Sequence, residues 1–237
     1  METETETPKT ARILNIAWTR VAHLRPFPLP GGDRVAREPR RAALGLLHEM
    51  QPARCQEAAK WFAGAEWGTL LAALDRGHVF PRSSSMGRLF DAVAALAGLK
   101  ERVSFEGEAA MQLEFAVDPA EAASYPLPIS DTLPAVIDWR PLLDGVLEDL
   151  RAGRLPATVA GRFHNALAEL ALQLARRAAC RSVVLTGGCF QNRHLTRRAR
   201  TQLSEAGFDV YTQRRVPPGD GGIALGQVLG AALQVGA

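Results

Sequence analysis

Three cysteines, Cys55, Cys180 and Cys189, are scattered along 237 residues, and no CxxC pair occurs. A zinc ribbon or a thioredoxin-type redox site is therefore unsupported, and the three read as reduced, mostly buried thiols. Lysine is nearly absent: Lys9, Lys60 and Lys100 are the only ones, and arginine supplies the rest of the 28 basic residues. No apolar run approaches the ~20 residues that span a bilayer, so no membrane span is expected. The N-terminus, METETETPKT, has no apolar stretch of the secretory kind, so the chain is expected in the cytoplasm. None of the five histidines, His23, His48, His78, His164 and His194, pairs with another at i, i+4, so no HxxxH metal pair is available. A Walker A loop and a Rossmann fingerprint are both missing, and no serine–histidine–acid set can be argued from spacing.

What is present is an ordinary globular composition, 47% hydrophobic and 22% charged with a net charge of +3. The arginines gather at 37–41, 176–181, 193–200 and 214–215. They read as solvated helix faces, so no nucleic-acid partner is expected. Residues 1–12 are expected to be disordered, and 13–237 to form one unit. Residues 13–24 predict a strand, and the prolines and glycines of 25–33 (RPFPLPGGD) a loop. Helical spacing follows at 42–50, 56–62 and 67–76, with Pro39 placed where the first could start. Ser83–Ser85 supply an N-cap for a helix over 86–99, which Gly98 suits as an end. A further helix is predicted over 107–115, and a long proline-bearing loop over 119–138. Beyond Pro141 the pattern is helix 142–151, helix 158–179, strand 182–185, helix 193–206, strand 208–211 and helix 222–235. The fold class is α/β.

Two glycine-rich loops stand out. In 185–192 (LTGGCFQN) a buried strand ends in Gly187 and Gly188 and hands over to a helix at Asn192. Glycines allow close backbone approach, and a helix N-terminus favours an anion. A tight turn with Asn192 as N-cap fits the same residues. In 217–222 (PPGDGG) Asp220 sits between glycines ahead of an apolar helix, as a helix cap or as a ligand to a hard cation. Asp91 falls among apolar neighbours within its helix; a buried carboxylate is costly without a partner, so it either faces solvent or reaches a ligand hydroxyl. Glu106 and Gly107 close the next short apolar stretch. His164 and His194 are read as surface residues.

Five segments in order, RPFPLPGGDRVAREPRRAAL, SSSMGRLFDAVAALAGL, FEGEAAMQLE, LTGGCFQNRHLTRRA and VPPGDGGIALGQ, resemble the C-terminal domain of the hydrogenase-maturation carbamoyltransferases (HypF) over about residues 13–235. That domain is similar to the tRNA threonylcarbamoyltransferases of the actin-like ATPase (ASKHA) fold. The resemblance implies the second lobe of an actin-like fold with additional helices, the N-terminal lobe missing. It implies transfer of a carbamoyl group from carbamoyl-adenylate, made from carbamoyl phosphate and ATP, to the C-terminal cysteine of a partner protein. It places Gly187, Gly188 and Asn192 against the adenosine and Asp91, Glu106 and Gly107 by the ribose. Asp220 becomes a ligand of a divalent metal, zinc or iron. No residue is assigned a catalytic role. The family's histidine pair and phosphate loop are not in the chain, so a separate chain supplying the upstream domains is implied. The alternative is an inactive truncated product that binds nucleotide or partner.

Overall fold

The computed structural model describes residues 19–77 and 80–235. The expected disorder of 1–12 and the first half of the strand expected over 13–24 lie outside these residues. What the structure shows there is a three-residue strand, β1 (Ala22–Leu24), with Leu24 buried. β2 (Phe27–Pro28) follows in the proline-rich loop and pairs antiparallel with β3 (Arg82–Ser83).

Helix α1 (Pro39–Met50) starts with proline at its first position, where the ring costs no hydrogen bond. Every residue from Pro39 to Leu47 is buried, so α1 is a core helix rather than an amphipathic surface one. Its two arginines are buried with it. Glu38 bridges them, 2.6 Å from Arg40 Nη2 and 2.9 Å from Arg41 Nε. Both reach Glu66, Arg40 also donates to the Trp61 carbonyl, and the Arg40 guanidinium lies 4.4 Å from the Phe62 ring centre. Such forked, stacked contacts need guanidinium groups, which is one reason arginine displaces lysine in this chain.

The stretch read as a helix over 56–62 is a 3-10 helix, Pro52–Trp61, followed by α2 (Gly64–Asp75). α3 (Met86–Leu96) packs along α1, capped by the Ser85 hydroxyl, and Gly98 turns the chain at φ 73°. α4 (Glu108–Phe115) begins one residue later than predicted, because Gly107 takes a left-handed conformation (φ 87°) that belongs to a cap. The segment expected to be a loop over 119–138 ends in a strand, β4 (Ala135–Ile137), which pairs parallel with β1. Three apolar residues carry no readable periodicity, so this strand is visible only through its partner. Beside it Trp139 is fully buried, donates its Nε1–H to the Arg25 carbonyl at 2.7 Å and meets Phe27 edge-on.

α5 (Arg140–Arg151) and the 23-residue α6 (Pro156–Ala178) lead into a βαβ unit of β5 (Ser182–Leu185), α7 (Arg193–Glu205) and β6 (Asp209–Thr212). β5 and β6 are parallel, with Val184 opposite Tyr211, and α7 packs on α6. α8 (Ile223–Val235) ends the described chain. Among the described residues no helix is long and apolar enough to cross a membrane.

Two glycines make opposite predictions. A Cβ on Gly45 of α1 would lie 2.0 Å from the Pro28 carbonyl oxygen, whereas one on the exposed Gly68 of α2 meets nothing within 4 Å. Gly45→Ala is expected to lower stability by about 1–3 kcal/mol through overpacking. Gly68→Ala should raise it by about 0.5–1 kcal/mol by removing chain entropy. Urea denaturation of the two variants checks both signs.

Candidate functional site

The site begins where β5 ends. Leu185 is buried; Gly187 then adopts φ 100°, ψ 159°, which only glycine takes without strain. A 3-10 turn, Gly188–Gln191, carries the chain to Asn192, which caps α7 by accepting the Leu195 N–H at 2.8 Å. The second loop lies directly against the first. The Gly187 N–H donates to the Pro218 carbonyl at 2.7 Å, and the Thr186 hydroxyl reaches the same oxygen at 3.2 Å. A Cβ on Gly219 would lie 2.9 Å from Gln191 Nε2 and 3.5 Å from the Gly188 Cα. The glycines of the two loops are therefore what lets each approach the other. Asp220 opens the short 3-10 turn Asp220–Gly222 ahead of α8, and its side chain is exposed.

α3 brings its carboxylate to the same place. Asp91 is only 4% exposed. Its Oδ2 lies 2.8 Å from Arg88 Nη1, a turn away, at ion-pair distance but without hydrogen-bond alignment. Burial pushes the Asp91 carboxyl up to about 6; Arg88 opposes the rise and Glu106 adds to it. Arg88 also donates to the Val35 carbonyl at 3.3 Å and to Glu106 Oε1 at 3.2 Å, so one guanidinium ties Asp91 to the residue before Gly107. Cys189 faces this group from the glycine loop. Burial lifts its thiol to about 11, with Asp91 raising it further and Arg88 opposing. A thiol held protonated in this way is no nucleophile at neutral pH. Of the three cysteines expected to be buried, only Cys55 is fully so; Cys189 is half-buried and Cys180 exposed.

The structure thus sets Asp91 beside the turn that carries Gly187, Gly188 and Asn192, links Glu106, the neighbour of Gly107, to Asp91 through Arg88, and places Asp220 on the adjoining loop. Two features depart from the sequence reading. The N-terminus of α7 is not open to an outside anion: Glu114 of α4 accepts the Arg193 and His194 N–H groups at 2.7 and 3.1 Å. No local spacing announces that contact, which joins residues far apart in the chain. His164 and His194, expected at the surface, sit inside. His164 is completely buried and its Nε2 lies 2.8 Å from Asn192 Nδ2, while His194 is half-buried against it. Periodicity put Phe163 on the buried face of α6; its neighbour is buried as well because helix α7 covers the next face. Arg88 was not singled out from the sequence either, although its i, i+3 spacing to Asp91 is the signal that could have found it.

No three His, Cys, Asp or Glu side chains converge to hold a metal among the described residues. Asp220, exposed and alone, does not fit a metal site by itself. Beside the glycine loop an open cleft of about 620 Å³ runs along the outer face of α7, between Phe190, Gln191, Arg193, Arg197, Arg200 and Thr212.

Known proteins share this arrangement. A family model described as "Carbamoyltransferase, Kae1-like Domain, second subdomain" matches residues 13–227. Carbamoyltransferase HypF of Rhodobacter capsulatus is 42% identical over 221 residues, covering 91% of this chain and 28% of that protein. HypF of Synechocystis sp. is 36% identical over 238 residues, covering 92% of this chain and 30% of that protein. A crystal structure of full-length HypF in its phosphate- and nucleotide-bound form superposes with a TM-score of 0.79 at 36% identity, covering 91% of this chain and 29% of the other. The chain spans under a third of the length of these relatives. The α/β lobe is therefore that of the actin-like, Kae1-like domain, and the chain belongs to the HypF carbamoyltransferase family, of whose Kae1-like domain it carries the second subdomain.

Proposed function

We propose that this chain is the nucleotide-holding half of a carbamoyltransferase of hydrogenase maturation. It passes a carbamoyl group from carbamoyl-adenylate to the C-terminal cysteine of a partner protein. The observation that carries this reading is Asp91: a buried carboxylate, short of hydrogen bonds, beside Cys189 of the first of two interlocked glycine loops. Desolvated acids of this kind cost stability and concentrate at functional sites. A ribose hydroxyl supplies the donor that Asp91 lacks, and Gly187 and Gly188 present backbone without side chains to the adenosine. Glu106 and Gly107 flank the same position, and Asn192 holds the turn. A solved full-length relative is nucleotide-bound, which fits a nucleotide donor for the family.

The chain's own residues bind and orient the donor. Burial raises the thiol of Cys189, so this residue is not assigned as the carbamoyl acceptor, and the acceptor thiol is placed on the partner. A divalent metal, zinc or iron, would need ligands beyond Asp220, and no step is derived through it. Those ligands fit a complementary subdomain, carried by a second chain or segment. α8 gives that subdomain a place to dock: Ile223, Leu225, Val228 and Leu229 are each more than half exposed, as are Val184 and Tyr211, paired on β5 and β6. Apolar surface on this scale marks an interaction site.

The decisive experiment is mass spectrometry of the partner's C-terminal peptide after incubation with carbamoyl phosphate, ATP and this chain, with and without a relative's upstream domains. Thiocarboxamide is expected only with both halves present. None under either condition sinks the enzyme reading and leaves an inactive binding module. Val228→Asp with Leu229→Asp should abolish co-elution of the halves on gel filtration without lowering the melting temperature of the lobe alone.

Asp91 makes a separate prediction with a definite sign. Its folded pKa, about 6, lies above its ordinary 3.8, so the native state binds the extra proton between these values. The penalty is fully present above pH 6 and vanishes as pH falls toward 3.8. Asp91→Asn should therefore raise stability at pH 8 by about 1–2 kcal/mol, lose that advantage near pH 4, and weaken AMP binding. Calorimetric melts across pH, with AMP titrations beside them, check the trade.

A further inference from the structure

Asn192 carries the corner between the glycine turn and α7, and its amide is fixed from behind. The Nδ1 atom of His164 lies 2.7 Å from the Ala160 carbonyl, which can only accept, so Nδ1 holds the proton. Nε2 is then a bare acceptor, and it faces Asn192 Nδ2 at 2.8 Å. Asn192 Oδ1 is left to take the Leu195 N–H at 2.8 Å. Turning the amide over would set oxygen against the bare nitrogen and NH2 against the Leu195 N–H. Both contacts would become repulsive, so one orientation survives. The ring cannot yield sideways either: Phe90, Phe163 and His194 stand around it at 5.5, 5.8 and 5.5 Å between ring centres, all near perpendicular. Phe90 is the neighbour of Asp91 on α3. A single imidazole therefore spans α6, α3 and the glycine turn. It is fully buried, and burial pushes its pKa down to about 4, with His194 adding to the shift and the Ala160 bond opposing it. Burial thus favours the neutral ring, whose Nε2 is the acceptor for the Asn192 amide.

We propose that His164 is a positioning residue of the nucleotide site: by fixing the Asn192 amide it sets the Gly188–Gln191 turn relative to Asp91. This rests on reading that turn as the adenosine wall. His164 itself touches no ligand. A leucine would fill the space but release Asn192, and with it the first turn of α7. A glutamine returns an acceptor oxygen near the position of Nε2.

The test uses the full chain with His164→Leu, His164→Gln, Asn192→Ala and the His164→Leu/Asn192→Ala double variant. AMP affinity is measured by calorimetry, and Leu195 amide exchange and the imidazole tautomer by 15N NMR. His164→Leu should weaken AMP binding about tenfold, the scale of one buried hydrogen bond, and speed Leu195 exchange. His164→Gln should stay within about threefold of wild type, and Asn192→Ala should add nothing in the His164→Leu background. A folded His164→Leu with unchanged affinity and unchanged exchange overturns the proposal, as do additive losses. Should His164→Leu not fold, the wild-type tautomer and His164→Gln decide: an Nε2–H tautomer, or a glutamine variant as impaired as Asn192→Ala, overturns it equally. Should wild type bind no AMP, the nucleotide reading fails on its own, and Leu195 exchange still decides what His164 holds.

Discussion

The hydrogen bond from the Gly187 N–H to the Pro218 carbonyl is the joint on which the C-terminal half depends. It fastens the loop that leaves β5 to the loop that enters α8, elements the chain separates by all of α7 and β6. Neither loop has regular structure to hold it, so backbone groups must satisfy one another. Side chains would keep them apart, as the close approach of Gly219 to Gln191 and Gly188 shows. The glycines are thus doubly constrained: they make the loops fit together, and the fit leaves bare backbone at the surface where a ligand can approach.

Everything packed behind that joint is arranged to stop it moving. Glu114 takes two amides of α7, Asn192 takes a third, and His164 holds Asn192. α4, α6 and α7 are in this way referred to one turn. Buried polar networks of this type rigidify only when every member is satisfied, and here the exception is informative. Asp91, on α3 beside the same turn, has an ion-pair partner and no aligned hydrogen bond. That carboxylate lies at the point where the proposed ligand would sit, while Glu114, Asn192 and His164 behind it are hydrogen-bonded and His194 Nε2 is left without a partner.

Much of this was legible in the sequence, for a physical reason. Helices α1, α3, α5, α6 and α7 bury long apolar faces, so period and caps reveal them; Ser85 and Asn192 cap as their residue types suggest. β5 and β6 are short but framed by glycines. What escaped was non-local. β4 is three residues long and exists by pairing with β1. The stretch at 52–61 tightens to a 3-10 helix although its spacing looks helical. Histidine is ambivalent between core and surface, and His164 turned inward because helix α7 supplied an acceptor-seeking amide. At the site, the apolar neighbours of Asp91 left solvent and a ligand hydroxyl both open until α3 was seen to bury it, and the Glu114 cap depends on how α4 and α7 meet.

The two ends of the lobe differ in how they treat apolar surface. α1 is buried from Pro39 to Leu47, and its arginines are buried with it, each paired with glutamate. α8 is more apolar in composition than α1, yet its residues 223–232 stand exposed, Val228 at 66%. At about 25 cal/mol per Å² of apolar area, leaving such a helix uncovered forgoes several kcal/mol that a covering surface would recover. That surface begins immediately after Asp220, so whatever covers α8 must also bring its own groups to the loop that presents this carboxylate. Docking and completion of the site are on this geometry one event. A partner that buried the first turns of α8 would face Asp220 and the glycine turn joined to it.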